Sequence, residues 1–148
     1  MNIGFPVKFI YKDKEYYTLY FDEEDILLRD NDSIICYSNQ EELLLEQSKY
    51  YEIDESLYIY NFDGIKLFNP IDYNDILNKW NILNTIAKMF NMYFEGDSKK
   101  RTYTYNYLFC CVTSIEELPK MIRMPDKCIK DINKVFSKKD KYLNKLLR

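Results

Sequence analysis

Histidine is absent from the sequence, and only three glycines, four prolines and one tryptophan occur among its 148 residues. The absence of histidine removes the commonest general base near neutral pH, so acid–base catalysis would depend on carboxylates, lysines or tyrosines. The low glycine and proline content argues against a linker-rich or fibrous chain. The sequence also contains no P-loop, nucleophile elbow or dinucleotide-binding fingerprint. We therefore expect that the protein is not an enzyme.

The four cysteines lack the spacing of a metal or redox site. Cys36, Cys110, Cys111 and Cys128 form no C-x-x-C pair, and no histidine is present to complete a mixed zinc site. The carboxylates do not form the D-x-D-x-D-G loop of a calcium site either. We expect no metal and no cofactor, and we interpret the cysteines as small core or strand residues.

Long apolar runs are also missing. No window approaches the roughly 18 consecutive apolar residues of a membrane-spanning helix, and the start of the chain lacks a basic region followed by an apolar core. We therefore expect a cytoplasmic protein without a membrane partner.

The composition that is present indicates a folded protein. Apolar residues make up 47% of the chain and aromatic residues 17%, which argues against disorder. A chain of this length buries roughly two thirds of the surface that it exposes when unfolded. We expect residues 1–148 to form a single globular domain.

The longest periodic segment runs from Ile71 to Phe94 and contains the one tryptophan. Its apolar residues follow the i, i+3, i+4, i+7 spacing of an amphipathic helix. Asn69-Pro70 and Asp72 supply start signals, and Glu95-Gly96-Asp97 supplies a stop. The segment predicts a central helix over about residues 72–94, with Trp80 buried in its apolar face.

Strands are predicted before this helix. The β-branched and aromatic runs 7–11 and 16–21 indicate a hairpin, and the runs 26–28 and 33–37 continue it as an antiparallel meander. Ser38 and Glu41 have the spacing of a capping box, which predicts a short helix to about Ser48. The Asp63-Gly64 turn signal favours a second hairpin, between the runs 57–60 and 65–68.

After the central helix, the sequence predicts one more strand and then helices. Tyr103, Tyr105 and Tyr107 alternate with a period of two, which is typical of a strand over residues 102–112. A capping-box pattern at residues 114–117 and the pair Pro125-Asp126 predict C-terminal helices. The predicted fold class is α+β, with a mostly antiparallel sheet of hairpins and a meander packed against the central helix, and with further C-terminal helices.

The net charge of −3 conceals opposite charges in the two halves of the chain. Residues 1–75 contain 17 acidic and 6 basic residues, whereas residues 76–148 contain 7 acidic and 15 basic ones. Either the halves neutralise each other through many weak surface pairs, or the acidic half presents a field to a basic partner. The candidate partner-binding residues are acidic clusters at predicted strand and helix ends: Asp22, Glu23, Glu24, Asp25, Glu41, Glu42, Glu52, Asp54 and Glu55.

A second interpretation uses the basic half. Lys99-Lys100-Arg101 beside the three tyrosines combines charge with stacking surfaces, as in proteins that bind single-stranded nucleic acid, and lysines continue from Lys127 to Arg148. The overall acidity opposes the counterion release that drives such binding. We therefore expect protein binding ahead of nucleic-acid binding.

Several motifs occur in a characteristic order: Tyr60-Asn61-Phe62-Asp63, then Ile76 to Asn81 with the Trp80-Asn81 pair, Ile86-Ala87, and Tyr105 to Phe109. This order resembles the immunity proteins of contact-dependent growth inhibition and related bacterial polymorphic toxin systems. The resemblance implies a small cytoplasmic antitoxin that binds a cognate toxin domain, often a nuclease, and blocks its active site. It implies no catalytic residues. We expect a toxin inhibitor that acts by protein–protein interaction; the alternative is a small nucleic-acid-binding or regulatory protein.

Overall fold

The computed structural model describes residues 2–68, 71–113 and 123–147. The chain folds into two compact units, Met1–Asp63 with Leu143–Arg148 and Gly64–Tyr142. The first unit contains a mostly antiparallel mixed sheet and the second is helical, so the predicted α+β class is confirmed. The organisation as a single domain over residues 1–148 stays a prediction.

The first unit is built on a sheet whose central strand is β1 (Ile3–Tyr11). Along one edge, β1 pairs antiparallel with β2 (Lys14–Phe21), which pairs antiparallel with β3 (Ile26–Leu27). Along the other edge, β1 pairs in parallel with β4 (Glu52–Ile53) and then with β5 (Tyr58–Asn61). The predicted opening hairpin is confirmed. The predicted run 33–37 contributes only isolated bridges, one of which joins Tyr37 to β2.

Asp63 does not start a second hairpin, because its carboxylate binds the turn between β1 and β2. Lys12 and Asp13 both have positive φ, 51° and 61°, as in the type I′ turn that suits a two-residue hairpin loop. Their backbone N–H groups donate to the two carboxylate oxygens of Asp63, at 2.6 and 3.1 Å. Residues 65–68 form no strand, so the predicted second hairpin was wrong.

Helix α1 (Gln40–Gln47) packs on one face of this sheet. Leu43 is buried in a cluster with Leu19, Phe21 and Leu28. The predicted short helix is confirmed, but its cap is shifted by one residue. The Asn39 side chain accepts the Glu42 N–H at 2.8 Å and so satisfies one free donor of the first turn.

The second unit is organised around α2 (Tyr73–Met89), which confirms the predicted helix. Asp72 caps it by accepting the Asp75 N–H at 2.9 Å. The helix ends earlier than predicted because Asn91 adopts the left-handed conformation, with a φ of 53°. The N–H groups of Asn91 and Met92 donate to carbonyls of the last turn, which is the Schellman arrangement. The placement of α2 against the sheet stays a prediction.

Residues 102–113 are helical, so the predicted strand was wrong. Helix α3 (Thr102–Thr113) buries Thr104, Leu108 and Cys111, which are four and three residues apart. This spacing follows a helical face. The three tyrosines consequently do not share one face: Tyr103 is exposed, Tyr105 contacts Trp80 and Tyr107 contacts Tyr73.

The chain ends in short helices. They are α4 (Asp126–Phe136), α5 (Lys139–Leu143) and a 3-10 turn over Asn144–Leu147, and α4 begins at the predicted Pro125-Asp126 pair. The predicted capping box at residues 114–117 and the start signal Asn69-Pro70 lie outside the described residues. Among the helices that the structure describes, none has the length and the apolar content needed to cross a membrane.

Candidate protein-binding surface

The first acidic cluster forms the loop that joins β2 to β3. This loop, residues 22–25, is called the acidic turn below, and all four of its carboxylate side chains are exposed. Asp25 has a φ of 53°, a left-handed conformation that aspartate tolerates better than most residues. Its carboxylate accepts the Tyr20 hydroxyl at 2.6 Å. The turn is therefore anchored to the sheet at Asp25. Glu24 also accepts a hydrogen bond from the Asn2 side-chain amide at 2.9 Å, while Asp22 and Glu23 face solvent.

The second acidic cluster lies at the same end of the sheet. Glu52 pairs with Ile3 at the start of β1, and the Asp54 N–H donates to the Gly4 carbonyl at 2.9 Å. The neighbouring Tyr51 ring lies 4.8 Å from the ring of Phe21, the last residue before the acidic turn. Hydrogen bonds from the side chain and backbone of Ser56 lower the pKa of Asp54, which keeps this carboxylate charged.

The third cluster is separate from the other two. Glu41 and Glu42 are exposed in the first turn of α1, whereas the last turn of α1 leads to Tyr51 at the acidic end of the sheet. An eight-residue helix is about 12 Å long. The structure thus brings together the predicted residues 22–25 and 52–55, and it places Glu41 and Glu42 a helix length away. The binding role of all nine residues stays a prediction.

An open groove with aromatic walls begins beside the acidic turn. It has a volume of about 170 Å³, and its lining residues, called the aromatic groove below, are Phe5, Val7, Tyr20, Tyr58 and Tyr60, with Asp22 at the rim. Strand register explains this composition. Phe5 pairs with Tyr20 across β1 and β2, and Val7 pairs with Tyr58 across β1 and β5, so alternate residues of three strands point to one face.

A second cleft adjoins the groove. Its volume is about 240 Å³, and it is lined by Asn2, Ile3, Phe5, Phe21, Asp22, Glu23 and Glu24. Phe5 and Asp22 belong to both clefts, and the exposed Ile3 adds apolar area between the carboxylates. The acidic turn and the aromatic groove together form one surface, which combines exposed apolar rings with negative charge.

The charge of this surface comes from carboxylates alone. Burial, together with the hydrogen bond to Asp25, raises the pKa of Tyr20 above its ordinary value, and burial also raises the pKa of Tyr60. Both hydroxyls therefore stay neutral over the physiological range. Asp22 makes no hydrogen bond or ion pair with any residue in the described part of the chain, so its carboxylate is open to a partner.

Sequence reasoning identified the acidic turn but missed the aromatic groove. The signal that was present is the alternation of aromatic residues in β1 and β2, which predicts that Phe5 and Tyr20 share a face. The position of Tyr58 and Tyr60 depends on parallel pairing between β1 and β5, which no local pattern reports.

In the second unit, the predicted basic surface turn is partly buried. Arg101 is 7% exposed, and its guanidinium donates to Asp131 Oδ1 at 2.6 Å and to Glu95 Oε1 at 2.6 and 3.1 Å. Asp131 also accepts hydrogen bonds from Thr104 and Lys127. Arg101 is committed to this buried network, so it is not the surface ligand for nucleic acid that the sequence suggested.

The network keeps its carboxylates ionised. Burial alone would raise the pKa of Asp131, but hydrogen bonds from Thr104 and Lys127 and the charge of Arg101 lower it. The pKa of Glu95 is lowered by the hydrogen bond from Arg101, against the opposing effect of burial. Each charge of the buried pair has a partner of opposite charge, which is the arrangement that makes burial of ions tolerable.

Burial keeps three of the four thiols protonated, and the described residues form no metal cluster. Burial raises the pKa of the Cys36 thiol to about 12, and it also raises the pKa values of Cys111 and Cys128. Protonated thiols are poor nucleophiles. Over residues 2–68, 71–113 and 123–147, no three acidic or cysteine side chains converge as a metal site.

Comparisons of the chain with protein families, with curated proteins and with solved structures find no match.

Proposed function

We propose that the protein is an immunity protein, a cytoplasmic antitoxin that binds a cognate toxin domain and blocks it. The observation that carries the proposal is the position of the exposed acidic turn beside an open aromatic groove, at one end of the sheet. The acidic turn and the groove belong to one unit, so their arrangement depends only on the pairing of β1, β2, β3 and β5.

This surface has the composition of a protein interface. Energetically important contacts cluster around desolvated aromatic anchors, and a polar rim surrounds them. Tyr58, 49% exposed, and its neighbour Phe5 offer such anchors, with ring centroids 6.2 Å apart. The carboxylates of the acidic turn supply the rim.

The charge of the rim favours a basic partner. A field of one sign attracts an oppositely charged protein and accelerates its association. Nucleases carry positive charge where they hold phosphate, so a nuclease domain fits this surface best. The motif order that resembles immunity proteins supports the same class of partner.

The alternative, binding of nucleic acid, loses the arrangement on which it depended. It used Lys99-Lys100-Arg101, three tyrosines on one strand face and the basic C-terminal helix. Arg101 is buried and the tyrosines do not share one face of α3, although Lys127, Lys130 and Lys134 of α4 are exposed. Only Lys99 and Lys100 of the basic triplet are exposed. We therefore propose one function.

Co-expression tests the function directly. The probe is the C-terminal domain of a large secreted protein encoded beside the gene for this chain, expressed with and without the chain. We expect a stable complex and restored growth of the cells. If the two proteins form no complex and growth is not restored, the proposal is wrong.

A matched pair of variants tests the surface. Glu23→Gln/Glu24→Gln removes two charges from the acidic turn, and Glu41→Gln/Glu42→Gln removes two charges from α1. The first variant should lower the association rate by about three- to tenfold with little change in dissociation, and added salt should reduce the difference. The second, a helix length from the groove, should lower the association rate by less than about twofold. If both variants lower the association rate equally, the rate depends on the overall negative charge of the chain and not on the acidic turn.

A further inference from the structure

We propose that the aromatic groove binds one arginine side chain of a protein partner, with the guanidinium between the rings and the Asp22 carboxylate. The identity of that partner as a toxin rests on the proposed function. The recognition of arginine does not, because it follows from the geometry and charge of the groove itself.

The size of the groove selects a single side chain. Sites for small-molecule ligands usually have volumes of about 300–1,000 Å³, whereas this groove has about 170 Å³. That volume corresponds to roughly six water molecules. A nucleotide or a sugar chain would extend beyond the groove, while one long side chain from a partner fills it.

The walls provide the surfaces on which a cation stacks. Phe5 and Tyr58 meet edge to face, with an interplanar angle of 66°, so the two ring faces are not stacked on each other. Val7 is 2% exposed and closes the floor. A planar guanidinium stacks on aromatic faces, and its attraction to the ring is strongest where water is partly excluded.

The rim supplies one carboxylate of the right kind. Asp22 lies at the mouth of the groove and has no hydrogen-bond or ion-pair partner among the described residues. Asp25 differs, because its carboxylate already accepts the Tyr20 hydroxyl. An arginine that stacks in the groove reaches Asp22 with its planar fork, a geometry that favours paired hydrogen bonds to a carboxylate.

Other side chains fit this combination less well. Lysine is a compact point charge that neither stacks nor pairs through two parallel hydrogen bonds. An apolar side chain would cover the rim and remove water from the Asp22 carboxylate without replacing its hydrogen bonds, which is unfavourable. The groove therefore discriminates in favour of a flat cation.

Titration with small probes tests this inference on the isolated chain. The probes are N-acetyl-arginine amide, its uncharged isostere N-acetyl-citrulline amide, and N-acetyl-leucine amide, monitored by NMR shifts of the tyrosine rings. We expect millimolar binding of the arginine probe, with shifts confined to Tyr20, Tyr58 and Tyr60, and binding of the other two at least about tenfold weaker. Equal binding of arginine and citrulline, tighter binding of leucine, or shifts elsewhere would overturn the proposal.

Two variants identify the groups responsible. Asp22→Asn should weaken the arginine probe by about tenfold, whereas Asp32→Asn, which removes an exposed charge of the same unit outside the groove, should weaken it less than about twofold. Tyr58→Ala should also weaken binding, and a native spectrum outside the groove will show that the fold is intact. If Asp22→Asn and Asp32→Asn behave alike, Asp22 has no specific role and the inference fails.

The outcomes separate the two proposals. If the chain binds the arginine probe but forms no toxin complex, the arginine site stands and the proposed function is wrong. If Asp22→Asn leaves the affinity for the toxin unchanged and the arginine probe does not bind, the proposed function stands and the arginine site is wrong.

Discussion

The two units use carboxylates in opposite ways. The first unit contains 15 Asp and Glu against 7 Lys and Arg, and its acidic turn faces solvent. The second contains 9 against 14, yet Asp131 is 4% exposed and is bound by Arg101, Thr104 and Lys127. A buried carboxylate is committed to the fold, because its neighbours satisfy it. An exposed carboxylate without such neighbours contributes little to folding and is available for recognition.

The difference is energetic as well as geometric. Exposed ion pairs contribute roughly 0–1 kcal/mol to stability, whereas the loss of one partner from a buried pair costs about 3–5 kcal/mol. Substitutions in the second unit should therefore change stability, and substitutions in the acidic turn should change binding. Four stability measurements test this division.

The largest effect is expected at Trp80. Its ring is 2% exposed and meets Phe94, Tyr105 and Phe136 at centroid distances of 6.0 to 6.5 Å. Trp80→Ala should lower the free energy of unfolding by about 3–5 kcal/mol, measured by urea denaturation. The native indole emission should be blue-shifted relative to free tryptophan.

The control for Trp80 is the exposed Tyr103. Its side chain is 53% exposed, with the Lys127 ammonium 5.9 Å from the ring centroid. Tyr103→Ala should change the free energy of unfolding by less than about 1 kcal/mol. If Trp80→Ala kept its stability but lost partner binding, the interface would include α2 and Trp80 would be a contact residue.

The next effect is expected at Asp131. Asp131→Asn removes the charge that faces buried Arg101 and should cost about 3 kcal/mol, measured by urea denaturation. The matched control is Asp126→Asn in the same helix, since the Asp126–Arg123 pair is 3.4 Å long and about 80% exposed on both sides. The control should cost less than about 0.5 kcal/mol. Equal costs would show that the Arg101 network does not stabilise the second unit.

The dependence of stability on pH is an independent test of the network around Arg101 and Asp131. The pKa values of Asp131 and Glu95 are lower in the folded state than their ordinary values. The unfolded chain therefore takes up protons first as the pH falls, and the stabilisation is lost below about pH 4. Asp131→Asn should flatten this loss between about pH 5 and pH 2. A profile as steep as that of the unmodified protein would assign the acid sensitivity to other carboxylates.

Elements with one clear local pattern were predicted correctly in both units. The opening hairpin and α2 each have a single hydrophobic period, and Asp72 is a strong cap signal. The end of α2 was placed too late because Asn91, not Gly96, adopts the left-handed conformation. Asparagine occurs in this position less often than glycine, so its signal is weaker.

Helix α3 was misread because its buried face begins with polar residues. Thr104 is the first buried residue of that face, Arg101 lies immediately before the helix, and both donate hydrogen bonds to Asp131. A search for apolar periodicity passes over such a face, while the alternating tyrosines suggest a strand. The partner that makes the polar face favourable is 27 to 30 residues away in the chain, so no local pattern reveals it.

Only part of the candidate site was predicted, because the rest depends on contacts between residues far apart in the chain. The acidic turn is a local cluster and is visible in the sequence. The aromatic groove depends on β5 pairing in parallel with β1, about 50 residues earlier. Just after β5, Asp63 binds the turn at Lys12 and Asp13. The Asp63-Gly64 pair resembles a hairpin signal, but its carboxylate stabilises a different hairpin.

The smallest effect on stability is expected in the acidic turn. Glu23 and Glu24 are exposed, so Glu23→Gln/Glu24→Gln should change the free energy of unfolding by less than about 0.5 kcal/mol in urea denaturation. Asp25 is the internal control, because it combines a φ of 53° with the hydrogen bond from Tyr20. Asp25→Ala should cost about 1–2 kcal/mol, whereas Asp25→Asn, which tolerates the same conformation and still accepts the hydroxyl, should cost less. A large loss of stability in the Glu23/Glu24 variant would mean that these carboxylates serve the fold, and the contrast with the buried network of the second unit would disappear.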